Sequence, residues 1–173
     1  MTARTLLAAL LLTLPGALHA GAVSTGAAEL DYGYFCALQP VDQGPAADTI
    51  SGTVNFVEGR PDFLRRGSLV PAQMGLGFGV HVRPLPDYDG LVTVEVTHPP
   101  MGPQGVTHQT WVTELDSTEL EYLGYSFDED YELVEGVWTM KAQSEGRTIY
   151  EVAFTVVDAD VLPPVTCEMV PMS

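Results

Sequence analysis

Lysine is nearly missing: Lys141 is the only one in 173 residues, and seven Lys and Arg stand against 23 Asp and Glu, a formal net charge of −16. A chain so poor in cations has no face with which to displace counterions from phosphates, which argues against nucleic acid and anionic membrane surfaces as partners. A basic partner, a cation, or solubility alone is compatible with that charge. Cysteine is scarce as well, two in all, Cys36 and Cys167, with no C-x-x-C to support a thioredoxin-like activity. There is no G-x-S-x-G and no serine beside a candidate histidine base, so serine-nucleophile chemistry lacks its parts. No apolar run reaches the about 20 residues that a membrane-crossing helix needs.

What is present begins with an address. Arg4, the apolar run from Leu6 to Leu14, the Pro15-Gly16 break and the small residues Ala20-Gly21-Ala22 form the pattern of a secretory leader over residues 1–22, with the mature chain, 23–173, beginning near Val23. No cysteine sits at the cleavage point, so lipid anchoring is not indicated. Removal of the leader takes away Arg4 and no acid, moving the formal charge from −16 to −17. The expected location is periplasmic or secreted. The mature length fits one domain with a single core.

In an oxidising compartment a cysteine pair is more economically a structural bridge than a redox or metal pair. A Cys36–Cys167 disulfide would clasp a first strand, Tyr32 to Leu38, to a last one, Val165 to Val170, with Cα atoms roughly 4.4–6.8 Å apart. The alternative is two buried thiols.

Between the cysteines the hydrophobic pattern has the period of strands. Val54 and Phe56 alternate within Ile50 to Val57; Met74, Leu76, Phe78, Val80 and Val82 alternate without a slip; Val92, Val94 and Val96 do the same. Further strands are expected at Gln109 to Leu115, Leu120 to Phe127, Gly136 to Ala142 and Thr148 to Val157, separated by turn residues. Two short helical stretches are possible, Ser117 to Gly124 and Asp128 to Glu135, while Ala37 to Asp48 has the look of an irregular loop. The fold class is therefore all-β, a single-domain antiparallel β-sandwich, immunoglobulin-like in the broad sense.

The clearest unit is the hairpin of Gly136 to Met140, Ser144-Glu145-Gly146-Arg147 and Tyr150 to Val156, with Trp138 as a core residue. It resembles the last two strands of many bacterial immunoglobulin-like sandwiches. Together with Tyr34-Phe35-Cys36-Ala37-Leu38, Gly75-Leu76-Gly77-Phe78-Gly79-Val80, Thr97-His98-Pro99-Pro100 and Tyr131-Glu132-Leu133-Val134, the mature chain resembles a small family of exported bacterial domains of unknown function. The resemblance rests on strand and turn patterns and implies no activity and no site.

Candidate site residues are few. Gly75, Gly77 and Gly79 share one strand face with His81 and Arg83 opposite an apolar face, and strand glycines mark a surface that something approaches closely: an aromatic side chain, another segment, or a ligand. The G-x-G-x-G opens no helix, so it is not a phosphate loop. His98 and His108 flank Pro99 to Gly105 and would face each other across a hairpin mouth. His81 would be near them if its strand is adjacent, but without closer spacing the three predict solvent-exposed histidines at strand ends rather than a zinc or copper site.

Glu114, Asp116 and Glu119 fit E-x-D-x-x-E, as in some β-jelly-roll glycosidases, but a turn at Asp116-Ser117-Thr118 would misplace the second carboxylate. Asp128-Glu129-Asp130, with Glu132 and Glu135, lacks the glycine and spacing of an EF-hand loop and leaves a weak ion site or a solvated acidic loop. No metal, no cofactor and no catalytic residue is therefore expected. The expected function is a non-catalytic exported interaction or structural module that meets a basic protein or a cell-surface partner through a strand edge or the Pro99 to Gly105 loop. The competing reading is a periplasmic protein that binds a small ligand or metal at the glycine face.

Overall fold

A computed structural model describes residues 21–167. The expected leader falls outside the described residues except for Gly21 and Ala22, and so does the part of the expected last strand beyond Cys167. The strands are β1 (Ala22–Ser24), β2 (Ala27–Cys36), β3 (Pro40–Pro45), β4 (Thr53–Val57), β5 (Arg65–Arg66), β6 (Leu69–Ala72), β7 (Leu76–Pro84), β8 (Gly90–Met101), β9 (Val106–Leu115), β10 (Glu121–Ser126), β11 (Gly136–Ser144) and β12 (Arg147–Asp158). Three single 3-10 turns lie at Pro86–Tyr88, Asp130–Glu132 and Ala159–Val161.

The strands build a sandwich. One sheet has the order β1-β12-β11-β8-β9, with β6 also on β12; the facing sheet has the order β10-β7-β2-β5; β3 and β4 form a separate hairpin. Pairing is antiparallel throughout except for β6, whose Leu69–Ala72 runs parallel to Thr155–Asp158. Successive side chains of a strand point to opposite faces, so each alternating run delivers one row inward. Val92, Val94, Val96, Trp138, Met140, Val152, Phe154 and Val156 come from the first sheet and Leu76, Phe78, Val80 and Val82 from the second, all buried in one core. Phe78 is at its centre, with ring centroids 4.8 Å from Phe154, 5.5 Å from Trp138 and 5.7 Å from Phe127. Burying one such side chain is worth roughly 1.5–3 kcal/mol. Trp138 is fully buried, and its Nε1–H donates to the Val134 carbonyl at 2.9 Å.

The β11–β12 hairpin has the expected bounds to within two residues. Its two-residue turn places both Glu145 (φ 50°) and Gly146 (φ 75°) in the left-handed region, the conformation whose twist matches the flanking strands. At the other end, Cys36 and Cys167 form the disulfide with Cα atoms 5.5 Å apart.

Four expectations need correction. The segment Ala37 to Asp48 contains β3, which sequence pattern cannot reveal because nearly all of Pro40–Pro45 is exposed and nothing forces alternation. The strand expected at Ile50 begins at Thr53 and, among the described residues, pairs only with β3. The stretch Ser117 to Gly124 is a turn followed by β10 rather than a helix, because the Asp116 carboxylate accepts from the Thr118 amide at 2.7 Å and holds the chain in an Asx turn. Finally, Val165 to Cys167 is not strand. Pro163-Pro164 removes two backbone donors there, and the tail is held by the disulfide and by Gln73 Nε2 donating to the Val165 carbonyl at 3.0 Å.

Candidate functional site

The glycine face lies on the outer side of the second sheet. Gly79 is opposite Gly33 on β2 and Gly124 on β10, so a row of glycines crosses three strands. The chain itself lies over it. A Cβ at Gly77 would meet the Phe35 ring at 2.5 Å, one at Gly33 would meet the Arg65 carbonyl oxygen and then Phe63 at 3.0 Å, one at Gly124 would lie against the Tyr122 ring, and one at Gly79 would run into the Leu123 backbone of β10. Phe35, Phe63 and Tyr122 pack on one another there, with the Phe35 and Tyr122 centroids 5.2 Å apart. Gly33, Gly77 and Gly124 thus serve as the floor for an aromatic layer, while Gly79 admits close approach of the β10 backbone. Gly75 stands before β7 in a turn with φ of 77°, off the row.

His81 is buried beneath the same layer, its ring stacked on Phe63 at 4.1 Å and its Nε2 3.0 Å from the Pro61 carbonyl. Burial and then the Arg60 charge push its pKa down. Arg83 points to solvent and pairs with Glu29. A cleft of about 450 Å³ beside His81 is lined by Asp31, Asp62 and Glu29 but also by Arg60 and Arg66, and Arg66 is already paired with Asp31.

The other candidate histidines do not converge. His98 and His108 are on neighbouring strands, yet His98 points into the core while His108 points out to Glu95, 3.5 Å away. His81 and His98 are both buried, which corrects the expectation of solvent-exposed histidines at strand ends: alternation turns each of them inward or under a lid. Among the described residues no three His, Cys, Asp or Glu side chains gather as a metal site. Glu114, Asp116 and Glu119 are all exposed on either side of the Asx turn.

A different cavity opens at the edge of the sandwich where β9 and β10 end the two sheets. It is a groove of about 300 Å³ whose floor is β10, flanked by β9 residues Gln109, Trp111 and Thr113 on one side and by β4 on the other. Buried polar groups organise its inner wall. The Nε2 amide of Gln109 lies 3.1 Å from His98 Nε2 and donates to Tyr125 Oη at 3.3 Å, while Gln109 Oε1 accepts from the Ile50 amide at 2.9 Å. His98 Nδ1 is 2.8 Å from the Pro99 carbonyl, so its proton belongs on Nδ1 and Nε2 accepts. Burial keeps His98 below the usual histidine range. Tyr125 Oη in turn donates to Glu132 Oε1 at 2.8 Å, and Glu132 Oε2 accepts from the amides of Asp128 and Glu129 at 2.7 and 2.9 Å.

The groove's charge has one sign. Its lining includes Glu121, Asp128 and Glu132 and, among the described residues, no Lys, Arg or His. Burial raises the pKa of all three, helped at Glu121 by Glu119 and Asp116 and at Asp128 by Glu129. The Asn55 side-chain amide donates to the Asp128 carboxylate there at 3.4 Å. Arg60 lies at the Glu121 end, donating to the Leu120 carbonyl.

Gln109 and Tyr125 were not singled out by sequence, and Glu132 only as part of the acidic cluster. A signal existed for Gln109, a polar residue on the same strand parity as Trp111 and Leu115 and hence aimed inward. Glu132 occupies the third position of the turn's capping box, which fixes its backward reach.

Residues 24–156 match the model of a family described as a domain of unknown function (DUF3859). Among solved structures the chain is similar to an immunoglobulin-like protein from Pseudomonas aeruginosa, with 20% identity, a TM-score of 0.50, and coverage of 81% of this chain and 99% of that one. At that identity the likeness bears on the fold, an all-β antiparallel sandwich of immunoglobulin-like type. No curated protein matches the chain.

Proposed function

This chain belongs to the DUF3859 family of domains of unknown function, and we propose that it is an exported, non-catalytic interaction module of the bacterial envelope that binds a basic protein or cell-surface partner. The observation that carries this is charge on a closed scaffold: a formal −16 with one lysine, displayed by a disulfide-locked sandwich whose edge strand β10 has, among the described residues, no strand on its outer side. A field of one sign speeds encounter with an opposite charge and selects against like-charged partners, and an unpaired strand edge offers backbone groups for docking. The leader pattern and the formed bridge support export. Against a small ligand at the glycine face stands its occupation by Phe35, Phe63 and Tyr122.

The test is capture on the immobilised mature chain, 23–173, from periplasmic extract at low salt. A basic protein retained at low salt and released as salt rises is the expected result. An empty column at low salt refutes the interaction, and a cell fractionation that leaves the chain in the cytoplasm with residues 1–22 attached refutes the export.

A further inference from the structure

We infer that the groove along β10 receives a lysine or arginine side chain presented by an extended segment of the basic partner, whose backbone lies along the free edge of β10. This rests on the interaction reading above and assigns it a place on the molecule.

Three features of the groove select that occupant. The first is charge: Asp128 and Glu132 line its inner part with no cation among the described lining residues, Arg60 standing only at the Glu121 end, whereas the cleft beside His81 neutralises itself with Arg60 and Arg66. The second is wall chemistry. Phe56, Trp111 and Tyr122 share the lining with Val54 and Leu123, which suits an alkyl stem bearing a cationic head. A bare metal ion would instead want converging oxygens, and those of Glu132 are already engaged by Tyr125, Asp128 and Glu129. Asp128 remains as the direct acceptor, with Glu132 held behind it as a fixed charge. The third is the edge itself: β10 pairs with β7 on one side and, among the described residues, with no strand on the other. A segment added there extends the sheet, so that every second side chain points to one face, the spacing by which edge-binding domains place an anchor in a pocket. The volume, about 300 Å³, is at the lower limit for small-ligand pockets, enough for one long side chain rather than a folded element.

The experiment titrates the mature chain with a fluorescent capped peptide of alternating lysine and valine at low salt, read by anisotropy. Two variants address the groove: Asp128→Asn, which removes the acceptor, and Asn55→Lys, which supplies a competing cation from the exposed face of β4 without touching the core. Glu145→Gln, in the exposed turn of the β11–β12 hairpin, is the control, and thermal melts confirm that each variant folds.

Both groove variants are expected to weaken binding at least about tenfold while the control stays within about twofold. Equal affinity for the wild type and both groove variants overturns the groove while leaving the interaction reading intact. Free arginine amide binding as tightly as the peptide overturns the polypeptide occupant. Failure of the wild type to bind any basic protein or peptide overturns both readings together.

Discussion

Opening the Cys36–Cys167 bridge provides a sharp energetic test because its loop is long. The two residues are 131 apart in sequence. Cross-linking a loop of that size removes denatured-state entropy worth about 5 kcal/mol in the chain-entropy model. The folded state gives some of this back. Beyond the Ala159–Val161 turn the tail is irregular, anchored by the bridge, by the Gln73–Val165 hydrogen bond and by partial burial of Val165 and Cys167. If it frays once cut, it regains about 1–2 kcal/mol of backbone freedom per residue released, against the contacts it forfeits.

The expected net loss for Cys36→Ala/Cys167→Ala is thus about 3–5 kcal/mol, or roughly 10–15 °C in melting temperature for a domain of this size. Urea unfolding followed by circular dichroism measures it, with each protein fitted to its own slope, since the uncrosslinked denatured state is more open. A loss below about 1 kcal/mol would refute the loop-entropy reasoning and mean that the tail is strained in the closed form.

Other perturbations address the interior. Tyr150 is fully buried and its hydroxyl has no hydrogen-bond partner among the described residues, so Tyr150→Phe should be neutral or stabilising by up to about 1 kcal/mol, and a clear destabilisation in urea would reveal a partner for that hydroxyl. Gln109→Ala strips partners from the Ile50 amide, His98 and Tyr125 at once and should cost about 2–3 kcal/mol; a loss under about 0.5 kcal/mol would contradict the network. His98 is held below its usual pKa, chiefly by burial, so the unfolded chain takes up a proton near pH 6.5 that the fold resists. Its contribution is therefore full above about pH 6.5 and declines as pH falls toward the folded value. The stability gap between wild type and His98→Asn should shrink on acidification over that window, and a gap that widens would invert the assignment. Glu132 has the opposite sign: burial raises its pKa, so its ionisation costs stability as pH rises through the folded value, and Glu132→Gln should flatten that part of the profile.

Much of the sandwich is legible in the sequence because its core strands face a core on one side and something different on the other. β7, β8, β11 and β12 alternate cleanly, and their parity puts Trp138, Phe78 and Phe154 together without any tertiary information. Where burial does not discriminate between faces, pattern is silent. β3 is exposed on nearly every residue, β5 has two arginines, and β6 is a four-residue strand containing Pro71 that joins β12 in parallel.

The candidate sites show the same division. The glycines of β7 correctly mark a close approach, but that Gly33 and Gly124 complete the row and that Phe35 and Tyr122 lie over it depend on strand register, and that Phe63 joins them depends on a loop fold. The β10 groove was hidden for a related reason. It is made by two sheet edges and a hairpin whose residues are scattered from Leu38 to Glu132, and the inward parity of Gln109 and the acidic run with Asp128 and Glu132 gave only hints of it.

Hydrogen exchange on the mature chain, alone and saturated with a basic partner at low salt, bears most directly on whether this acidic sandwich is an interaction module. Amides of Glu121–Ser126 in β10 should exchange more slowly in the complex, and the protection should fade as salt rises. Exchange unchanged along the whole chain, or protection confined to Gly102–Gly105 and insensitive to salt, would contradict it.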